Sequence, residues 1–146
     1  MTAKSMIPVG ARLALGAIFL VFGLNGFFGF LPMPPVGEQA GAFLGALGAS
    51  GYMFPLIKVT EIAAGLLLVA GRYVPLALTL LAPVVVNIVA FHLFLAPSGM
   101  LLPIVIVALG VYLAWTERAA YAPLFRARSE SSGAHRSSGG HAEAHA

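Results

Sequence analysis

Apolar runs separated by short turn signals set the pattern of this chain. The first runs from Ile7 to about Leu31 around the core Leu13-Ala-Leu-Gly-Ala-Ile-Phe-Leu-Val-Phe-Gly-Leu24. About 20 residues at 1.5 Å rise cross a 30 Å hydrocarbon slab, so the run predicts a spanning helix. Pro32-Met-Pro-Pro35 closes it, because proline lacks an amide donor and fixes φ. Gly37 to Ser50 follows, with Phe43, Leu44 and Leu47 at helical spacing. It is too short to span and reads as an interfacial or re-entrant helix, with a plain loop as the other reading. Three more apolar runs occupy residues 53–70, 74–95 and 100–115, parted by Gly71-Arg72-Tyr73 and Ala96-Pro97-Ser98-Gly99. Pro55, Pro75 and Pro103 stand near the starts of these runs, where helices tolerate proline; Pro83 inside the run 74–95 predicts a kink. The pattern predicts an all-α fold: an integral membrane four-helix bundle over residues 1–125, with the short helix between the first two spans. Residues 126–146 are rich in Ser, Gly, Ala and His without apolar periodicity and predict a disordered tail.

Composition sharpens this picture. Of 146 residues, 60% are hydrophobic and 9% charged, against roughly 25% charged in a soluble domain. Mean hydropathy is +0.95, and no polar face remains to make a water-facing shell, so the lipid bilayer is the natural solvent. Lys4 and Arg12 before an apolar run also suit a signal peptide. The bulky stretch Asn25-Gly-Phe-Phe-Gly-Phe30, where a cleavage site wants small residues, favours retention as a span. With four spans, both termini share one side, and Lys4, Arg12, Arg72, Arg118, Arg126, Arg128 and Arg136 lie on it. The opposite loops carry no Lys or Arg, so the positive-inside rule places both termini in the cytoplasm, with the protein in a bacterial inner membrane.

Charge and cysteine usage remove whole classes of function. The net charge of +3 says little about nucleic acid, and no interleaved basic and aromatic run fits it. Cysteine is absent, which excludes thiol–disulfide chemistry and Cys-ligated zinc or iron–sulfur sites. Haem held between two histidines would need a second membrane histidine beside His92. No Walker loop, dinucleotide fingerprint, nucleophile elbow or paired-His zinc motif is present. His135, His141 and His145 around Glu143 in the tail lack a rigid frame for a metal. No set of residues points to independent catalytic activity.

Chemistry enters where polar residues interrupt the apolar runs. Lys58, Glu61, Asn87, His92 and Asn25 do so from three spans, and ionisable groups in hydrocarbon usually face a protein interior, cavity or partner. Counting helix rise from the outer ends places Glu61 and Asn87 at about 12 Å, Asn25 near 9 Å, Lys58 near 7 Å and His92 near 5 Å. All five fall in the outer half and suggest a polar ligand pocket opening outward. Lys58 and Glu61, three apart, share a helical face and can pair, which offsets part of the cost of burying either charge. Asn87 and His92 stand about 140° apart around their helix, so both cannot address one spot. Asn87 matches Glu61 in depth and is the expected partner. Each residue also has a plainer reading: Lys58 snorkels, the asparagines bond helix to helix, and His92 sits among headgroups. Gly10, Gly16, Gly23, Ala63, Ala64 and Gly65 need only close helix packing.

Arg12-x-x-x-Gly16-x-x-Phe19-x-x-x-Gly23, Thr60-Glu61-Ile-Ala-Ala-Gly65-Leu-Leu-Leu, and Pro83-x-x-x-Asn87 with His92 resemble the DoxX family over residues 7–125. Phe30-Leu-Pro-Met-Pro-Pro35 with Gly51-Tyr-Met-Phe-Pro55 is similar to one branch of it. The resemblance implies a small bacterial protein of four spans. Some relatives are subunits of thiosulfate:quinone oxidoreductase or associate with a quinol oxidase. Others join a membrane assembly with superoxide dismutase and a sulfurtransferase. It therefore points to an accessory or quinone-facing role in a redox or oxidative-stress assembly, with redox proteins as candidate partners and a quinone as a candidate ligand, and leaves the cofactor open. Members often carry Lys near the position of Asn25, and Glu61 is the position carried over most directly. A small transporter or permeability protein using Glu61, and a ligand-free membrane scaffold, are the alternative readings. Oligomeric state is not legible.

Overall fold

A computed structural model describes residues 3–125, so the expectations for the tail, its histidines included, lie outside the described residues. Six helices follow in order: α1 (Ala3–Phe28), α2 (Glu38–Ala49), α3 (Met53–Ala70), α4 (Val74–Phe94), α5 (Leu101–Thr116) and α6 (Arg118–Tyr121). Short 3-10 turns occupy Pro97–Gly99 and Ala122–Phe125. The described residues contain no strand, so the fold is all-α.

Backbone chemistry sets the helix ends. Gly29 takes φ +59° just after α1, its amide donating to the Asn25 carbonyl at 2.8 Å, and the proline cluster beyond it prevents continuation. α3 ends on Gly71 at φ +68°. The Arg72 amide reaches back to the Leu67 carbonyl and the Gly71 amide to Leu68, both at 3.1 Å, the paired bonds of a Schellman motif. Tyr73 then enters the left-handed region at φ 55°, so α4 turns back after a three-residue link. α4 runs unbroken past Pro83 to Phe94.

Three helices, α1, α3 and α4, are long and apolar enough to cross a membrane. α5 is apolar but has only 16 residues, about 24 Å of rise. α1 packs on α3, α3 on α4, α4 on α5 and α5 on α1, which closes a ring. Its core joins Leu15 and Phe19 of α1 to Ala64 and Leu68 of α3, Ala77 and Leu81 of α4, and Ile106 and Leu113 of α5. Around that narrow core the helices expose Leu66, Val86, Ile104 and Val111 to more than half of their surface. Such an exterior suits hydrocarbon and would be an aggregation liability in water. α2 lies beside α3 and reaches α4 through Phe43, whose ring centroid is 5.9 Å from that of Phe91.

The tightest seam is α1 on α3. A Cβ placed on Gly16 would lie 3.1 Å from the Gly65 carbonyl, and one on Gly65 would lie 3.0 Å from the Gly16 carbonyl. The two backbones touch, and only glycine fits on either side. Where no hydrophobic force separates helix from lipid, this close van der Waals approach is a main source of association.

Candidate functional site

At the end of that seam where α1 finishes and α3 begins, α1 carries Gly23, Asn25 and Gly26, while α3 carries Phe54, Lys58 and Glu61. Lys58 Nζ lies 2.8 Å from Glu61 Oε2, so the residues three apart form an ion pair. Side-chain exposure is 17% for Lys58 and 5% for Glu61; the carboxylate is enclosed and the lysine side chain is partly open. α1 makes room for both. The Lys58 stem crosses Gly26, where a Cβ would fall 2.5 Å from Cδ, and Glu61 Cβ sits 3.2 Å from the Cβ position of Gly23. The ammonium also lies 5.6 Å from the Phe54 ring centroid, within cation–π range. Glu61 Oε1 takes no part in the pair.

The other predicted residues do other work. Asn25 is buried, and its Oδ1 accepts the Leu31 amide at 2.6 Å while Nδ2 approaches Met33 Sδ at 3.7 Å. It folds the segment after α1 back onto the helix end rather than bonding across helices. Asn87 is exposed, and its Nδ2 donates to the Pro83 carbonyl one turn earlier at 2.9 Å. The expected bond between Asn87 and Glu61 is therefore not made: equal depth places two residues at one level without turning them to face each other.

His92 Nδ1 is 2.8 Å from the Ile88 carbonyl, a contact that requires Nδ1 to carry the proton. Its ring stands edge-on to Phe91 at 5.3 Å and covers Gly99 in the next turn. It closes the α4–α5 link. Of the five residues, the structure joins Lys58 and Glu61 and gives the other three separate local partners. Gly26, Phe54 and Met33 were not singled out from the sequence; the spacing of Gly23 and Gly26 about Asn25 was the available signal for the first.

Two further features lie toward the opposite end, near the α3–α4 link. A groove of about 750 Å³ opens between α4 and α5 over Leu15 and Phe19 of α1, and none of the five residues lines it. Its mouth carries Trp115, Arg118 and Tyr121. Tyr121 Oη donates to the Pro75 carbonyl at 3.0 Å, and partial burial raises the hydroxyl above its ordinary pKa, keeping it a donor. Arg12, from α1, lays its guanidinium against Gly71 at the α3–α4 link, and its Nε is buried without a partner. Among the described residues no three His, Asp or Glu side chains gather as a metal site would require.

Long apolar helices, an exterior of large hydrophobic side chains and a charged pair kept within the helix packing define a multi-pass membrane protein. The DoxX family model matches residues 7–95, more than half of the chain, and the protein belongs to that family. The match takes in α1 to α4 and stops before α5. No curated protein and no solved structure matches the chain.

Proposed function

We propose that this DoxX-family protein is a four-span component of a bacterial inner membrane, with α5 as its fourth crossing and both termini cytoplasmic. It serves as an accessory, quinone-facing part of a redox or oxidative-stress assembly and has no independent catalytic activity. The observation that carries this reading is the Lys58–Glu61 pair, set on the glycines of α1 with the Lys58 side chain partly open. An ammonium has three donors, and one serves Glu61. The others suit an acceptor such as a quinone carbonyl. Glu61 holds Lys58 in place, while Asn25 and Asn87 spend their amides elsewhere. A bound quinone would supply electron-carrier chemistry, and the chain's own part is to position it.

The test is mass spectrometry of what copurifies in mild detergent with the wild type and with Glu61→Gln. Near-stoichiometric quinone on the wild type, lost in a folded variant, is the expected result. Bulk lipid alone, at equal levels on both, would remove the quinone reading. The enclosure of Glu61 favours a second reading, in which the pair only locks α1 to α3 as a scaffold. Glu61→Gln would then weaken folding or partner binding without changing the small molecules carried.

A further inference from the structure

The groove between α4 and α5 has the dimensions and polarity of a lipid site. From Ile106 to Trp115 it follows α5 over nine residue steps, about 14 Å, and Arg118 at the start of α6 lies just beyond. One leaflet of a 30 Å hydrocarbon core is about 15 Å deep, so the groove runs the length of one acyl chain and its headgroup boundary. A docked spanning helix would want a face twice as long. The floor is Leu15 and Phe19, and at Gly110 no atom lies within 4 Å of where a Cβ would stand, so the space along α5 is open.

The interior offers a ligand almost no polarity. Thr79 Oγ1, at 2.8 Å, and Tyr121 Oη, at 3.0 Å, both donate to the Pro75 carbonyl. Charge appears only at the mouth. There the Arg118 guanidinium lies 5.4 Å from the Trp115 ring centroid, and its Nη1 donates to the Trp115 carbonyl at 3.0 Å. Among the described residues the ion pair is Lys58 with Glu61; Arg118 makes none, and the Glu117 carboxylate lies instead near enough to Tyr121 to help burial raise its hydroxyl pKa. The remaining donors of Arg118 have no protein partner among the described residues and are free to meet a phosphate. Guanidinium and phosphate match in geometry as well as charge.

We infer that this groove seats an acyl chain of an anionic phospholipid, with the lipid phosphate on Arg118. The site is separate from the Lys58–Glu61 pair and stands whether or not that pair binds a quinone. Trp115 is the single tryptophan of the chain, and it lies at the groove mouth, so it reports occupancy directly. The full-length protein is placed in phosphatidylcholine vesicles doped with chain-brominated phosphatidylglycerol or chain-brominated phosphatidylcholine, and quenching of Trp115 is followed.

Trp115 also meets bulk lipid, so the ratio between the two lipids is the reading. Phosphatidylglycerol should be preferred about fivefold, as one cation near the membrane surface provides. Arg118→Gln should abolish the preference, Arg118→Lys should retain it, and Gly110→Leu should reduce quenching by both lipids. Helical circular dichroism checks that each variant is folded. Equal quenching by the two lipids in the wild type, or a preference unchanged in Arg118→Gln, would overturn the inference. A change of oligomeric state in Gly110→Leu with quenching unaltered would assign the groove to a second copy and overturn it as well.

Discussion

The α1–α3 seam and the α4–α5 groove are opposite solutions to helix packing in one small protein. Along the seam Gly16 and Gly65 bring two backbones into contact, and Gly23 and Gly26 leave room for a charged pair between the helices. Along the groove Gly110 faces open space, and side chains of α1 form its floor between α4 and α5. The small residue is the same in both places, yet only in the seam does another helix occupy the space it leaves. Glycine therefore marks an interface only where its partner's surface is complementary. The seam can hold a charge away from lipid because it is closed. The groove, open and apolar, is left for the solvent of the membrane itself.

The contrast predicts a graded set of effects. Breaking the pair acts most strongly: Lys58→Ala leaves the enclosed carboxylate alone, a loss of about 3–5 kcal/mol for a buried charge without its partner. Unfolding of the purified protein in mixed detergent and dodecyl sulfate measures it. Next, Gly65→Leu should cost about 1–3 kcal/mol by overpacking a backbone contact. Gly110→Leu, by comparison, should stay within about 0.5 kcal/mol of the wild type. Equal costs for the two leucines would erase the distinction between seam and groove.

Smaller effects sharpen the edges of the seam. Asn25→Ala strips the Leu31 amide of its acceptor and should cost about 1–2 kcal/mol. Hydrogen exchange at Leu31 should accelerate while exchange in α3 stays slow. Tyr73 occupies the left-handed region, which costs a side chain about 1–2 kcal/mol. Tyr73→Gly relieves that strain but gains chain entropy when unfolded, leaving up to about 1 kcal/mol of stabilisation as a higher thermal midpoint.

Much of the helical framework was legible because its signals are local. Gly71 after a long apolar run, and the prolines beyond Leu31, announce helix ends through their own backbone limits. Lys58 and Glu61 could be paired because three residues on one helix fix their relative angle. Across helices no such rule operates. Depth from helix rise put Asn87 level with Glu61, but its direction depends on how α4 is rotated against α3, and its amide turns to Pro83 instead. Asn25 was expected to face a pocket, whereas its partners Leu31 and Met33 lie in a fold-back that has no periodic signature. The groove left no trace in the sequence, since it arises from how α4, α5 and α1 are placed together rather than from any residue pattern.

The central claim is that Lys58 and Glu61 act as one unit within the α1–α3 seam. A double-mutant cycle with Lys58→Met, Glu61→Gln and the combined variant, unfolded in mixed detergent, tests it directly. The account predicts a double variant milder than the sum of the singles, with a coupling of about 1–3 kcal/mol. Single effects that add to within about 0.5 kcal/mol would contradict it and leave two polar residues that share a helix face without sharing a role.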